Sequence, residues 1–210
     1  MARAGAAILY RGGGEQELRV CQDFSRRWLE VDGVVQSAML LERPQRLLLA
    51  YSQVMALAWV FAPAPRRMLL LGLGGGGFLR FCRAHFPAAH CDVVECDTEV
   101  LAVARRYFQL PDPAPTLRYH QADANEFIAD AGLPPYDLIL ADCFVGGRQA
   151  LQVDRFVAHS RACLSADGLL AMNMLPAGQT DLLENLRSLR AQFQRQALCL
   201  TQYLGDCAGT

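Results

Sequence analysis

Lysine is absent, and all 20 basic side chains are arginines. That excludes a Schiff-base lysine and a Walker-type phosphate lysine, because both chemistries need a primary amine. Paired Cys-x-x-Cys spacing is also missing, although the chain holds eight cysteines, Cys21, Cys82, Cys91, Cys96, Cys143, Cys163, Cys199 and Cys207. Several lie in apolar segments, where a free thiol acts as a small hydrophobe, so the reading is a reduced, cytoplasmic protein rather than a disulfide or zinc framework. The four histidines, His85, His90, His120 and His159, show no ligand spacing, and no metal is expected. Neither sign of charge dominates. A net charge of −1 argues against a protein held to nucleic-acid phosphates. The most apolar run, Leu47 to Phe61, contains Ser52 and Gln53 and is shorter than the ~20 residues of a membrane span. The Ala-Ile-Leu patch before Arg11 is too brief for a signal peptide. Membrane insertion and export are therefore not expected.

What is there is organised around Met68 to Asp97. Met68 to Leu71 is an apolar run suited to a strand buried on both faces, and Gly72, Gly74, Gly75, Gly76 and Gly77 follow at once. A turn without β-carbons can take positive φ and lets a ligand approach the backbone, and the next helix offers unpaired N–H groups at its start. A second apolar strand, Cys91 to Val94, ends in Glu95. A carboxylate about 20 residues beyond such glycines is placed to accept hydrogen bonds from ribose hydroxyls.

Around this unit, Glu17 to Ala38 alternates in the manner of strands, with a turn at Asp32-Gly33, and predicts a small antiparallel appendage over residues 1–45. The appendage ends in the polar pair Gln36-Ser37. Residues 46–210 form the second unit. Arg46 to Phe61 reads as one helix stopped by Pro63 and Pro65. Asp97 caps a helix from Thr98 to Phe108, Leu117 to His120 is a strand, and Ala122-Asp123-Ala124 leads into a short helix. Tyr136 to Ala141 is a buried strand ending in Asp142, and Gln149 to Leu164 is helical. Ala166-Asp167-Gly168 turns into a strand from Leu169 to Met174, Asp181 to Phe193 is a helix, and Gln196 to Leu204 is a last candidate strand. Alternating strands and helices imply an α/β fold with a doubly wound, mostly parallel sheet, whose ligands bind outside the carboxyl ends of the strands. Glu95, Asp123 and Asp142 follow three different strands, so all three should line one crevice.

These residues resemble the spermidine synthase (polyamine aminopropyltransferase) family, in particular its shorter bacterial members. The likeness runs from about Trp28 to Met174. It includes Val31-Asp32-Gly33-Val34-Val35-Gln36, the glycine loop, Val94-Glu95-Cys96-Asp97, Ala122-Asp123-Ala124 and Asp142. The resemblance implies a Rossmann-like, methyltransferase-type fold with an N-terminal β-hairpin appendage. It implies a sulfonium adenosyl nucleoside as co-substrate, S-adenosylmethionine or its decarboxylated form, with no metal. Glu95 would hold the ribose, Asp123 and Ala124 the adenine, Gln36 the nucleoside from the hairpin, and Gly72, Gly74 and Gly75 the loop side. Asp142 would draw the proton from an attacking amine, a polyamine being the family's acceptor, and Tyr51 would line the acceptor site. A homodimer packed through the appendage is implied as well.

Three departures accompany the likeness. The acid of the family's Gly-Gly-Gly-Asp-Gly-Gly falls on Gly75, which removes the partner of a decarboxylated donor's amine and relieves the repulsion of an intact donor's carboxylate. The second acid of Asp-[Ser/Thr]-x-Asp-Pro is missing from Asp142-Cys143-Phe144-Val145, and Tyr-His is Tyr51-Ser52. The family also closes its sheet with an antiparallel pair, for which this sequence has one candidate strand. Three readings stay open: amine transfer, which the resemblance favours; methyl transfer, which the charge at Gly75 favours; and a non-catalytic nucleoside binder, which the missing acceptor contacts favour.

Overall fold

A computed structural model describes residues 5–143, 153–174 and 179–193. The candidate strand Gln196–Leu204, the residues Phe144 and Val145, and the expected helix residues 149–152 lie outside them.

The appendage is a four-stranded antiparallel sheet, in the order β1 (Ala7–Gly12), β2 (Leu18–Gln22), β3 (Arg26–Val31), β4 (Val34–Leu40). Asp32 and Gly33 both take positive φ, 49° and 78°, the geometry that lets a two-residue turn follow the twist of β3 and β4. Strand β1 was not expected from the sequence. It is an edge strand with no buried residue, so no alternating apolar face marks it, and its order comes from pairing with β2.

The expected helix over Arg46 to Phe61 is two short helices, α1 (Ala50–Met55) and α2 (Ala58–Phe61). The Ser52 hydroxyl donates back to the Leu49 carbonyl, and a tight Leu57 N–H to Val54 O bond breaks the run. The break lets Trp59 lie against Phe81, with ring centroids 4.7 Å apart.

The main sheet holds five parallel strands in the order β7-β6-β5-β8-β9. They are β5 (Arg67–Leu71), β6 (His90–Glu95), β7 (Leu117–Gln121), β8 (Tyr136–Ala141) and β9 (Leu164–Met172). Helices α3 (Gly77–His85), α4 (Thr98–Tyr107), α5 (Ala124–Ile128) and α6 (Val153–Cys163) make the crossovers, and α7 (Gln179–Phe193) follows β9. Alternate residues of β5 serve two cores. Met68 and Leu70 pack with Trp59, Leu79 and Ala104 on one face, and Leu69 and Leu71 with Ile128 and Phe156 on the other. The turn expected at Ala166-Asp167-Gly168 sits inside β9, where pairing jumps from Tyr136↔Leu164 to Leu138↔Leu169. The strand thus begins before the turn, and the described part of α6 lies within the expected helix.

The order reverses between β5 and β8. At such a switch point adjacent crossovers leave on opposite faces and open a crevice at the strands' carboxyl ends.

Candidate active site

Each acid singled out in the sequence stands at that carboxyl edge. Glu95 closes β6 and braces the glycine loop, its Oε2 accepting the Leu73 N–H and its Oε1 the Asp97 N–H, each at 3.0 Å. Asp123 caps α5, its Oδ1 accepting from the Asn125 N–H at 2.8 Å and the Glu126 N–H at 3.2 Å. Ala124 is the first residue of that helix. Asp142 follows β8, its N–H bonded to Leu71 O across the switch point. The Cys143 thiol, next along the chain, feels the charge of all three. Burial pushes its pKa up to about 12, and the negative charges of Asp142, Asp123 and Glu95 add to the rise. The thiol is therefore inert at neutral pH.

Asp142 is the most constrained of the three. Its Oδ2 accepts the Tyr51 hydroxyl at 3.0 Å, and its Oδ1 accepts Asn173 Nδ2 at 3.0 Å. Burial raises its pKa above the usual carboxylate value, while the hydrogen bonds from Asn173 and Tyr51 pull the other way by favouring the ionised form. Burial and the Asp142 charge hold the Tyr51 hydroxyl protonated. That hydroxyl also lies 3.2 Å from the Gln36 carbonyl oxygen, so the appendage reaches the crevice through the backbone of the residue expected there.

The glycine loop does more packing than its sequence suggests. Gly72 has φ +92°, and a β-carbon there would collide with the Asp142 carbonyl, so the ends of β5 and β8 can close only over glycine. At Gly75 a β-carbon would lie 2.7 Å from Ser37 Oγ, 2.9 Å from Ser37 Cβ and 3.1 Å from Phe108 Cδ1. Strand β4, not an open cradle, covers that face of the loop. The N–H groups of Gly74 and Gly75 have no protein acceptor among the described residues.

Residues 49–204 match the spermine/spermidine synthase domain. The chain belongs to the spermine/spermidine synthase family. It is 35% identical to a polyamine aminopropyltransferase of Vibrio vulnificus over 133 residues, covering 61% of this chain and 44% of that protein. With the polyamine aminopropyltransferase of Neisseria meningitidis serogroup A it shares 32% over 164 residues, 76% of this chain and 62% of that one. The chain thus spans about half to three-fifths of the length of these relatives. Among solved structures, a probable spermidine synthase from Corynebacterium glutamicum superposes with a TM-score of 0.66 at 25% identity, over 78% of this chain and 63% of that one. The methyltransferase-like α/β fold with an antiparallel N-terminal sheet is that of the spermine/spermidine synthase family.

Two site residues were not singled out from the sequence. Asn173 follows β9 as Asp142 follows β8, and the rule that gathered the acids would have found it had it been applied to neutral polar residues. Arg80 carries no such signal. It is buried on α3 and donates through Nε to Pro44 O at 2.7 Å and through Nη1 to Gly75 O and to Phe108 O at 2.8 Å. One guanidinium thus ties the glycine loop to the linker and to the end of α4. Burial lowers its pKa to about 10, which leaves it charged at neutral pH.

Proposed function

We propose that this spermine/spermidine synthase family member transfers an alkyl group from a sulfonium adenosyl nucleoside to an amine, with Asp142 as the base. One observation carries this reading: a half-buried carboxylate at the switch point, whose two oxygens are held by neutral donors and whose pKa is raised above the ordinary carboxylate value. An amine arrives protonated. Its N–H bond breaks, the proton goes to Asp142, and the nitrogen keeps the electron pair. That pair forms the new C–N bond as the C–S bond breaks onto sulfur, so the nucleoside leaves as a neutral thioether. Glu95 is assigned to the ribose, Asp123 and Ala124 to the adenine, Gln36 to the nucleoside and Tyr51 to the acceptor side. A carboxylate has about four lone-pair sites, so Glu95 can hold two backbone N–H groups and still take ribose hydroxyls. The three acids also suit a cationic sulfonium. In this reading residues 46–210 carry the nucleoside site, and the appendage, residues 1–45, completes it. A polyamine acceptor, a homodimer and a cytoplasmic location belong to the same proposal.

Methyl transfer from intact S-adenosylmethionine is the second reading, and the Ser37 contact favours it. With Gly75 covered by a serine, no acid faces the donor's tail there, and the unclaimed N–H groups of Gly74 and Gly75 suit a carboxylate.

Titration calorimetry with S-adenosylmethionine, its decarboxylated form, methylthioadenosine and NAD tests the nucleoside class. Binding of NAD alone would sink both readings. For the chemistry, Asp142→Asn should lower amine transfer by about 10²-fold or more with nucleoside affinity nearly unchanged. Turnover that survives the change would reduce Asp142 to a structural residue.

A further inference from the structure

The two oxygens of a free carboxylate are equivalent, but those of Asp142 are not. Oδ1 faces an amide nitrogen of Asn173, a group that can only donate. The backbone of Asn173 is anchored to the end of β8, its N–H bonding Ala141 O at 2.9 Å. A proton on Oδ1 would set O–H against N–H with no acceptor between them, and the Asn173 amide would lose its partner. Oδ2 faces a hydroxyl that can change roles. Tyr51 has one proton and two acceptors in reach, Asp142 Oδ2 at 3.0 Å and Gln36 O at 3.2 Å. When Oδ2 gains a proton, Tyr51 can turn its own O–H to the Gln36 carbonyl and accept from Asp142, leaving every donor satisfied.

We infer that Asn173 is a positioning residue that keeps Oδ1 free of protons and so makes Oδ2 the oxygen that takes the proton from the acceptor amine. The ammonium N–H bond breaks, the O–H bond forms on Oδ2, and no further group is needed. The catalytic part of this inference rests on the amine-transfer reading above; the unequal oxygens do not.

The test is a carbon-13 NMR titration of the Asp142 carboxyl in the free protein, run beside the pH profile of amine transfer. Asn173 favours only the ionised form, whereas Tyr51 can serve both forms. Asn173→Leu should therefore raise the Asp142 pKa more than Tyr51→Phe does. It should also move the acid limb of kcat/KM to higher pH, with about tenfold lower activity on that limb, the loss expected for a hydrogen bond to a charged group. Asn173→Gln, which keeps an amide donor, should restore most of the titration. An Asp142 titration unmoved in Asn173→Leu, or moved further in Tyr51→Phe, would overturn the inference. Should Asn173→Leu not fold, Asn173→Asp decides. It should split the titration into two steps as two carboxylates share one proton, and a single unshifted step would count against the assignment. A titration that behaves as expected in a protein that transfers nothing to amines would leave Asn173 in its role and refute the proposed function instead.

Discussion

Ser37 and Gly75 form a matched pair. Restoring the family's acid at this position requires a β-carbon 2.9 Å from Ser37 Cβ, a contact that rotation of the serine hydroxyl cannot relieve. Gly75→Asp alone should thus destabilise the protein by about 1–3 kcal/mol, the usual cost of overpacking. Adding Ser37→Gly should recover most of that loss in a urea unfolding series. Calorimetry on the double variant should then show a shift toward the decarboxylated donor. Asp142 makes a second residue-scale prediction. Its folded pKa is raised, so the ionised carboxylate destabilises the fold above that pKa, and the penalty disappears as pH falls through it to the lower unfolded value. Asp142→Asn imitates the protonated form: its carbonyl can face Asn173 and its amide Tyr51, whose hydroxyl turns to Gln36. The variant should melt higher than the native protein at neutral pH, and the gap should close as pH is lowered, as calorimetric scans across pH would show. The presence of these acids at one edge was legible, since a residue that follows a buried strand must emerge there. The contact of Ser37 with Gly75 was not, because nothing in a local pattern says which strand will cover a loop.

At the scale of elements, Arg80 does for the glycine loop what a local motif cannot. Its three carbonyl partners come from the loop, the linker before α1, and the end of α4. Arg80→Met should cost about 3 kcal/mol or more, because it strands several buried carbonyls. Arg80→Lys should recover little of this, since one ammonium cannot span three acceptors set around a planar fork. Equilibrium denaturation of both variants checks the expectation. The sequence around Arg80 reads only as an amphipathic helix, and burial alone distinguishes this arginine from its neighbours Arg83 and Arg105. The divided linker helix is a similar case. The apolar spacing of Arg46 to Phe61 is helical, but no side chain caps its start at Leu49, and the run breaks at Leu57 with Trp59 beyond the break set against Phe81.

At the scale of the whole molecule, the appendage and the main sheet are packed as one body. Its buried residues Leu18, Val20, Leu29 and Met39 share one core with Val103 and Phe108 at the end of α4. The Tyr10 hydroxyl donates to Glu99, and Arg27 donates to the Tyr107 carbonyl. A chain that starts after Leu41 would expose Val103 and Phe108 and lose Gln36 and Ser37 together. It should show a lower, broader thermal transition by circular dichroism and no measurable nucleoside affinity by calorimetry.

The sequence by itself determined the parallel sheet, the glycine turn and the edge on which Glu95, Asp123 and Asp142 emerge, because strand burial and turn chemistry act over a few neighbouring residues. Only the tertiary structure decided that Ser37 would close over Gly75, that Arg80 would hold the loop from beneath, and that Tyr51 and Asn173 would take one oxygen each of Asp142. Those contacts join residues far apart in the chain, and they are selected by volume and by the need of buried polar groups for partners, which no local pattern records.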